Sequence, residues 1–315
     1  MRVFVTGATG FIGSAVVREL LDAGHEVLGL ARSDQGAASL MALGAQVHRG
    51  DLNDLDSLQS GAAASDGVIH TAYNHDFTVS RMDAAQADRR AITAMAEAIA
   101  GSNRPLVITS GTGVRPAGQI ATEDTAPSSD RTGRYATEEA AMAFVERGVR
   151  VAVVCFPLSV HGRGDHGFVP ILINIARTKG VSAYPGDGSN RWPAVHRLDA
   201  AHLFRLAVES APPGARLHGV GEEGIPVREI AEVIGRHLNV PVTSIPVEEA
   251  NEHFGFLGAF FSLDAPASSA LTQQLMGWHP VQPGLIADLD EGHYFGESDN
   301  GPASMPATTG ANAAG

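Results

Sequence analysis

The residues best suited to chemistry open the chain, in Val3-Phe4-Val5-Thr6-Gly7-Ala8-Thr9-Gly10-Phe11-Ile12-Gly13-Ser14. An apolar strand runs into a glycine turn and then into a helix with Ala15, Val16, Leu20 and Leu21 on one face and Arg18, Glu19 and Asp22 on the other. Gly7 permits the tight turn, Gly10 lets the backbone approach a pyrophosphate, and Gly13 lets the helix pack close. The helix then offers its N–H groups and positive dipole end to phosphate. Thr6, Gly7, Thr9, Gly10, Phe11, Ile12 and Gly13 are the expected dinucleotide contacts.

The elements that must position this turn alternate along the first half of the chain. Strand-like runs at 3–6, 26–30, 46–49, 67–70, 106–109 and 150–156 alternate with helical runs at 13–23, 35–43, 54–63, 83–100 and 136–147. This pattern predicts an α/β fold, a Rossmann-type doubly wound parallel sheet with a smaller C-terminal substrate lobe. The dinucleotide domain is expected over 1–165 with a return segment near 195–215. A discontinuous lobe is expected over 166–296, with a loop at 181–192, helices near 199–209 and 227–238 and an apolar-aromatic patch at 253–263. Residues 297–315 carry little to bury and are expected to form a disordered tail.

The chain has 315 residues, 22 Lys and Arg against 35 Asp and Glu, and a formal charge of −13. An acidic balance without a basic stripe argues against nucleic acid and anionic membrane surfaces as partners. No apolar run approaches the length of a membrane span, and no leader precedes the first strand, so a soluble, cytoplasmic protein is expected. The single cysteine, Cys155, sits in an apolar strand and is expected to be buried and inert.

The Gly7, Gly10, Gly13 spacing resembles the TGxxGxxG signature of the short-chain dehydrogenase/reductase superfamily, in its extended or atypical, epimerase/dehydratase-like branch. Gly50-Asp51-Leu52, Val68-Ile69-His70-Thr71-Ala72, Val107-Ile108-Thr109-Ser110 and Val160-His161-Gly162-Arg163-Gly164-Asp165 extend the likeness over most of the chain. It implies a nicotinamide dinucleotide cofactor. Ala31 stands where an acid would bind the ribose of NAD, and Arg32 and Ser33 follow it. A guanidinium and a hydroxyl suit the extra phosphate of NADP(H), which is therefore preferred, with NAD(H) as the alternative if Arg32 is an ordinary surface charge and Asp34 supplies the acid. Asp51 and Leu52 resemble the adenine-contacting pair, unless Asp51 instead caps a helix over 53–63. Thr71, Ala72 and Tyr73 after the fourth strand, and Pro157, Leu158, Ser159 and Val160 after the sixth, complete the implied cofactor contacts.

For catalysis the resemblance implies a Ser or Thr holding the substrate oxygen, a Tyr moving its proton, and a Lys four residues later. Ser110 matches the first and Tyr135 the second, while Glu139 occupies the lysine position. A phenol without a nearby cation keeps a pKa near about 10, so Tyr135 suits proton donation in carbonyl reduction better than alcohol oxidation. Arg131 or Arg134 could replace the lost charge. Tyr135 could also be a plain helix-start residue; Thr112 offers a second hydroxyl, and His75 or Tyr73 an alternative acid or base.

Tyr73, Asn74, His161, Phe168, Arg191 and Trp192 are the candidate substrate residues. Arg191 and Arg197 could reach a diphosphate, as in nucleotide-sugar enzymes, but the surrounding aromatics favour a small carbonyl compound with an apolar or aromatic part. His161, Asp165, His166 and His196 match no compact metal motif, so no metal is expected. The leading reading is an NADPH-dependent carbonyl reductase, against an epimerase or dehydratase and a dinucleotide-binding redox sensor. The likeness also implies a homodimer, for which 82–99, rich in Ala, Ile and Met, would supply a helical interface.

Overall fold

A computed structural model describes residues 1–74, 80–116, 118–125 and 134–296, without the side chains of Arg81, Arg134 and Tyr135. In chain order the described strands are β1 Arg2–Thr6, β2 Glu26–Ala31, β3 Gln46–Arg49, β4 Gly67–His70, β5 Pro105–Gly111, β6 Arg150–Phe156, β7 Ser159–His161, β8 Ser182–Pro185, β9 Arg191–His196, β10 Ala215–His218, β11 Glu222–Pro226 and β12 Val242–Ile245. The α-helices are α1 Phe11–Asp22, α2 Asp34–Leu43, α3 Leu55–Ala63, α4 Arg81–Ala98, α5 Arg134–Met142, α6 Phe168–Lys179, α7 Arg197–Ser210, α8 Val227–Leu238, α9 Ala250–Phe254, α10 Leu257–Phe261, α11 Ala270–Met276 and α12 Leu285–Asp290.

Seven strands form a parallel sheet in the order β10-β6-β5-β4-β1-β2-β3. The chain winds outward through β2 and β3, then returns to β4 on the other side of β1. That reversal opens a crevice beyond the carboxyl ends of β1 and β4. Continuous apolar strands such as Val151 to Phe156 are buried on both faces, as a sheet covered by two helical layers requires. One layer packs α1 against α7; the other packs α3, α4 and α5 together.

Local caps fix where the helices begin. Ser33 accepts from Gly36 N at the start of α2, Asp54 from Ser57 N at α3, and Ser80 from Asp83 N at α4. Asp54, not Asp51, therefore caps α3; the Asp51 carboxylate instead accepts from Asn53 N at 2.7 Å in the preceding turn.

Two smaller sheets, β11-β9-β7 and β12-β8, build the lobe with α6, α8, α9 and α10. The stretch 181–192 was expected to be a loop, yet it holds β8 and the start of β9. Its Gly, Pro and aromatic content concealed strands whose side chains fill the lobe core, with Trp192 fully buried. The patch at 253–263 is two short helices joined at Gly255, whose φ of +61° favours glycine.

The stretch 82–99 does not present an apolar face. Ile92, Met95 and Ile99 are fully buried, while Met82, Asp83, Gln86, Arg89, Arg90 and Glu97 are exposed. Of the Ile and Met residues on which a helical dimer interface was expected, Ile92, Met95 and Ile99 belong to the core and Met82 is exposed. Among the described residues no helix is long and apolar enough to cross a membrane. The expected tail over 297–315 lies outside the described residues.

Candidate active site

The glycine turn joins β1 to α1 at the switch point. Gly7 has φ +66°, and a Cβ there would lie 2.6 Å from Ala72 N. A Cβ on Gly13 would lie 2.0 Å from Gly7 O and 2.9 Å from Thr71 Oγ1, so helix and turn touch backbone to backbone. The N-cap of α1 is Gly10, and no side chain bonds the first-turn N–H groups. They are free to receive phosphate, and the missing side chains leave room for it, so the cradle fits a dinucleotide.

Behind the turn the polar groups are paired. Asp88 on α4 accepts from His70 Nε2 at 2.9 Å, and His70 Nδ1 lies 2.7 Å from Thr6 Oγ1, all three residues buried. Thr71 Oγ1 donates to Thr6 O at 2.8 Å. This buried relay ties β1, β4 and α4 together beneath the crevice.

At the carboxyl end of β2 Ala31 is buried and Arg32 is exposed with no hydrogen bond or ion pair among the described residues. Ser33 caps α2, and its hydroxyl proton remains available to a ligand. The Asp34 carboxylate, the alternative ribose acceptor, forms an ion pair with Arg49. Leu52 packs at the edge of the core below Asp51.

The other end of the crevice is also polar. Ser110 at the carboxyl end of β5 and Ser159 at the start of β7 have buried hydroxyls without hydrogen-bond partners among the described residues, as does Thr137 on α5. Thr112 is buried, its N–H bonded to Phe156 O at 3.0 Å. Pro157 is buried, and Leu158 and Val160 are half-buried on the chain leaving β6. Tyr73 is half-buried and Asn74 exposed just beyond β4.

Tyr135 lies in the first turn of α5, two residues before Thr137. Glu138 is buried and pairs with Arg216 at 2.6 Å, while Glu139, at the family's lysine position, is exposed. His75 and Arg131 lie outside the described residues.

Residues 3–217 match the NAD dependent epimerase/dehydratase family. This chain belongs to that family. An uncharacterized protein of Schizosaccharomyces pombe, C2A9.02, is 51% identical over 94% of this chain and all of its own length. A 2-alkyl-3-oxoalkanoate reductase of Stenotrophomonas maltophilia is 29% identical over 76% of this chain and 77% of its own. The structure of Thermus thermophilus UDP-glucose 4-epimerase with NAD superimposes with a TM-score of 0.73 at 22% identity, covering 95% of this chain and all of that one.

Within this epimerase/dehydratase framework, three expected substrate residues serve the lobe's own structure. Trp192 is fully buried against Phe168 and Phe261, and its Nε1 donates to Phe260 O at 3.0 Å. Arg191 forms a two-pronged ion pair with Asp264 at 2.9 Å through Nε and Nη2, so its charge is already matched within the lobe. Phe168 packs between Trp192 and Phe260.

His161, a fourth, is wholly buried with Nδ1 2.8 Å from Asp288, while its Nε2 has no hydrogen-bond partner among the described residues. His293 bonds the other Asp288 oxygen at 2.9 Å. Burial pushes the Asp288 carboxyl up, but these two hydrogen bonds outweigh it and hold the group at about 2. Burial pushes the nearby Asp165 carboxyl up to about 6 despite bonds from Gly167 N and Tyr294. Of the His161, Asp165, His166 and His196 collection, the His161 and His196 rings meet edge to face at 5.3 Å, and the His166 ring lies 5.8 Å from that of Phe11. Asp288, Glu291 and His293 offer ligand atoms within 4.8 Å of one another, but both Asp288 oxygens are already engaged. Cys155 is fully buried, its thiol pushed up to about 12 by burial.

Sequence reasoning assigned no role to the His70–Asp88 pair. His70 carried a signal, as a titratable residue in a buried parallel strand; Asp88 reads as an ordinary charge on a helix.

Proposed function

We propose that the protein is an NADPH-dependent reductase of a carbonyl group in a small or medium organic substrate with an apolar or aromatic part. The observation that carries this reading is the Ser110 hydroxyl, buried at the carboxyl end of β5 without a partner among the described residues. A buried hydroxyl costs free energy unless a ligand atom completes it, and a substrate carbonyl oxygen is such an atom. Bound NADPH supplies the reducing equivalents.

The chain's own residues do the rest. Main-chain N–H groups of Phe11 and Ile12 hold the pyrophosphate at the glycine turn. Arg32 and Ser33 take the extra phosphate, a choice supported by the buried Ala31 and by the engagement of Asp34 with Arg49. Ser110 orients the substrate oxygen and Tyr135 gives it a proton. With Glu139 in place of a lysine, nothing at that position draws the proton from the phenol, which favours donation over abstraction. The likeness to the Stenotrophomonas oxoalkanoate reductase supports the same direction.

The test is loss of reduced-nicotinamide absorbance with a panel of ketones and aldehydes. Tyr135→Phe should lower the rate by about two to four orders of magnitude with NADPH affinity retained. Arg32→Ala should weaken NADPH by roughly 1–3 kcal/mol more than NADH. The family match and the likeness to an NAD-bound epimerase favour a second reading, epimerase or dehydratase, for which cofactor would stay bound without net consumption. Binding without any chemistry would indicate a sensor.

A further inference from the structure

Arg197 opens α7 beside the first turn of α1. Its guanidinium carbon lies 4.7 Å from the centre of the Phe11 ring. Nη2 donates to Ser14 Oγ at 3.2 Å and Nη1 to the Arg163 carbonyl at 2.8 Å. The side chain is half-buried, and Nε is buried with no acceptor. A hydroxyl, a carbonyl and an aromatic face are its partners, and no carboxylate pairs with it among the described residues.

An arginine withdrawn from water without a counter-charge is unfavourable, and burial lowers its hold on the proton. The unfavourable setting is compounded by position. Phe11 and Ser14 belong to the first turn of α1, where the helix dipole is positive and no side chain caps the N–H groups. Arg205 is matched by Glu19 and Glu209, Arg216 by Glu138 and Arg191 by Asp264, while Arg150, which also lacks a carboxylate, donates to the Val208 and Ala211 carbonyls at the negative end of α7. An anion between Arg197 and the start of α1 would satisfy both positive groups at once. Phe11 would hold the guanidinium by a cation–π contact while its remaining N–H groups face that anion.

We infer that Arg197 clamps the diphosphate of a dinucleotide seated on the first turn of α1, with Phe11 as the platform that keeps the guanidinium in place. The inference rests on the dinucleotide reading above, and adds a cation that lies outside the glycine signature, 184 residues beyond Gly13 in the chain. It gives the cofactor site a contact from the segment that leads out of the lobe, so lobe and dinucleotide domain would close on one ligand.

The experiment uses the full chain, free of ligand, with Arg197→Met and Arg197→Lys. ADP binding is measured by calorimetry and adenosine binding by ligand-observed NMR. Arg197→Met should weaken ADP at least tenfold, change adenosine less than twofold and flatten the salt dependence of ADP binding, with Arg197→Lys between. The melting temperature of the ligand-free Met variant should equal or exceed that of the parent, because an uncompensated cation has been removed. Equal ADP affinity in parent and Met variant would overturn the clamp. So would equal losses for ADP and adenosine with a lower melting temperature, which mark a packing role. A parent that binds NADPH and ADP but reduces no carbonyl would sink the proposed reaction and leave the clamp standing; a parent that binds neither would sink both.

Discussion

The two halves of the crevice differ in how their polar atoms are satisfied. Below β1 and β4, Thr6, His70, Asp88 and Thr71 bond to one another, and Gly7 and Gly13 meet with no room for a methyl group. At the carboxyl end of β5 and the start of β7, Ser110 and Ser159 are equally buried and have no partner among the described residues. The first half is a finished scaffold, whose shape is set by contacts within the chain. On the proposed reading the second half is completed by a ligand, as a reaction site requires of its substrate-holding groups.

The strongest challenge to the scaffold half is Gly13→Ala. Its Cβ would fall 2.0 Å from a backbone oxygen, which cannot yield as a side chain can. Stability should fall by roughly 4 kcal/mol in denaturant titrations, and NADPH binding should be lost, because α1 must move off the turn. His70→Ala comes next. It leaves the Asp88 carboxylate buried without its partner, at a cost of about 3 kcal/mol in the same titrations, whereas an equivalent truncation at Ser110 should cost nothing.

A smaller effect sharpens the contrast at the loop after β7. Asp165 titrates at about 6 in the folded chain, above the ordinary carboxylate value of 3.8, because it is buried. An acid raised in this way stabilises the fold least when ionised: its favourable contribution is complete below about pH 4 and is lost as pH climbs through about 6. Asp165→Asn should therefore match the parent near pH 4 and be more stable by roughly 2 kcal/mol at pH 7 and above, measured by melting across pH. Identical pH profiles would show that the group titrates normally.

The scaffold half was largely legible in the sequence because its determinants are local. Strand and helix periodicity placed β1 to β6 within two residues of where they lie, and the glycine spacing marked the turn. Tertiary partners are not written locally. Asp264 closes Arg191 from 73 residues away, and Asp288 buries His161 from 127, so both looked available. Trp192 read as a pocket aromatic because Gly, Pro and Asn around it resemble a loop, while the lobe core that absorbs it comes from α6, α8 and α10. Ser110 was legible only through its place at a strand end; its lack of a partner is a property of three-dimensional packing.

The claim that the unpaired half is the reaction site is tested most directly by Ser110→Ala, with turnover and melting temperature measured on the same preparation. The account predicts that kcat/KM for NADPH-linked carbonyl reduction falls by about two to four orders of magnitude, while melting temperature holds or rises and NADPH affinity stays unchanged. Full turnover in the folded variant, or a loss of turnover that follows a loss of stability, would contradict it.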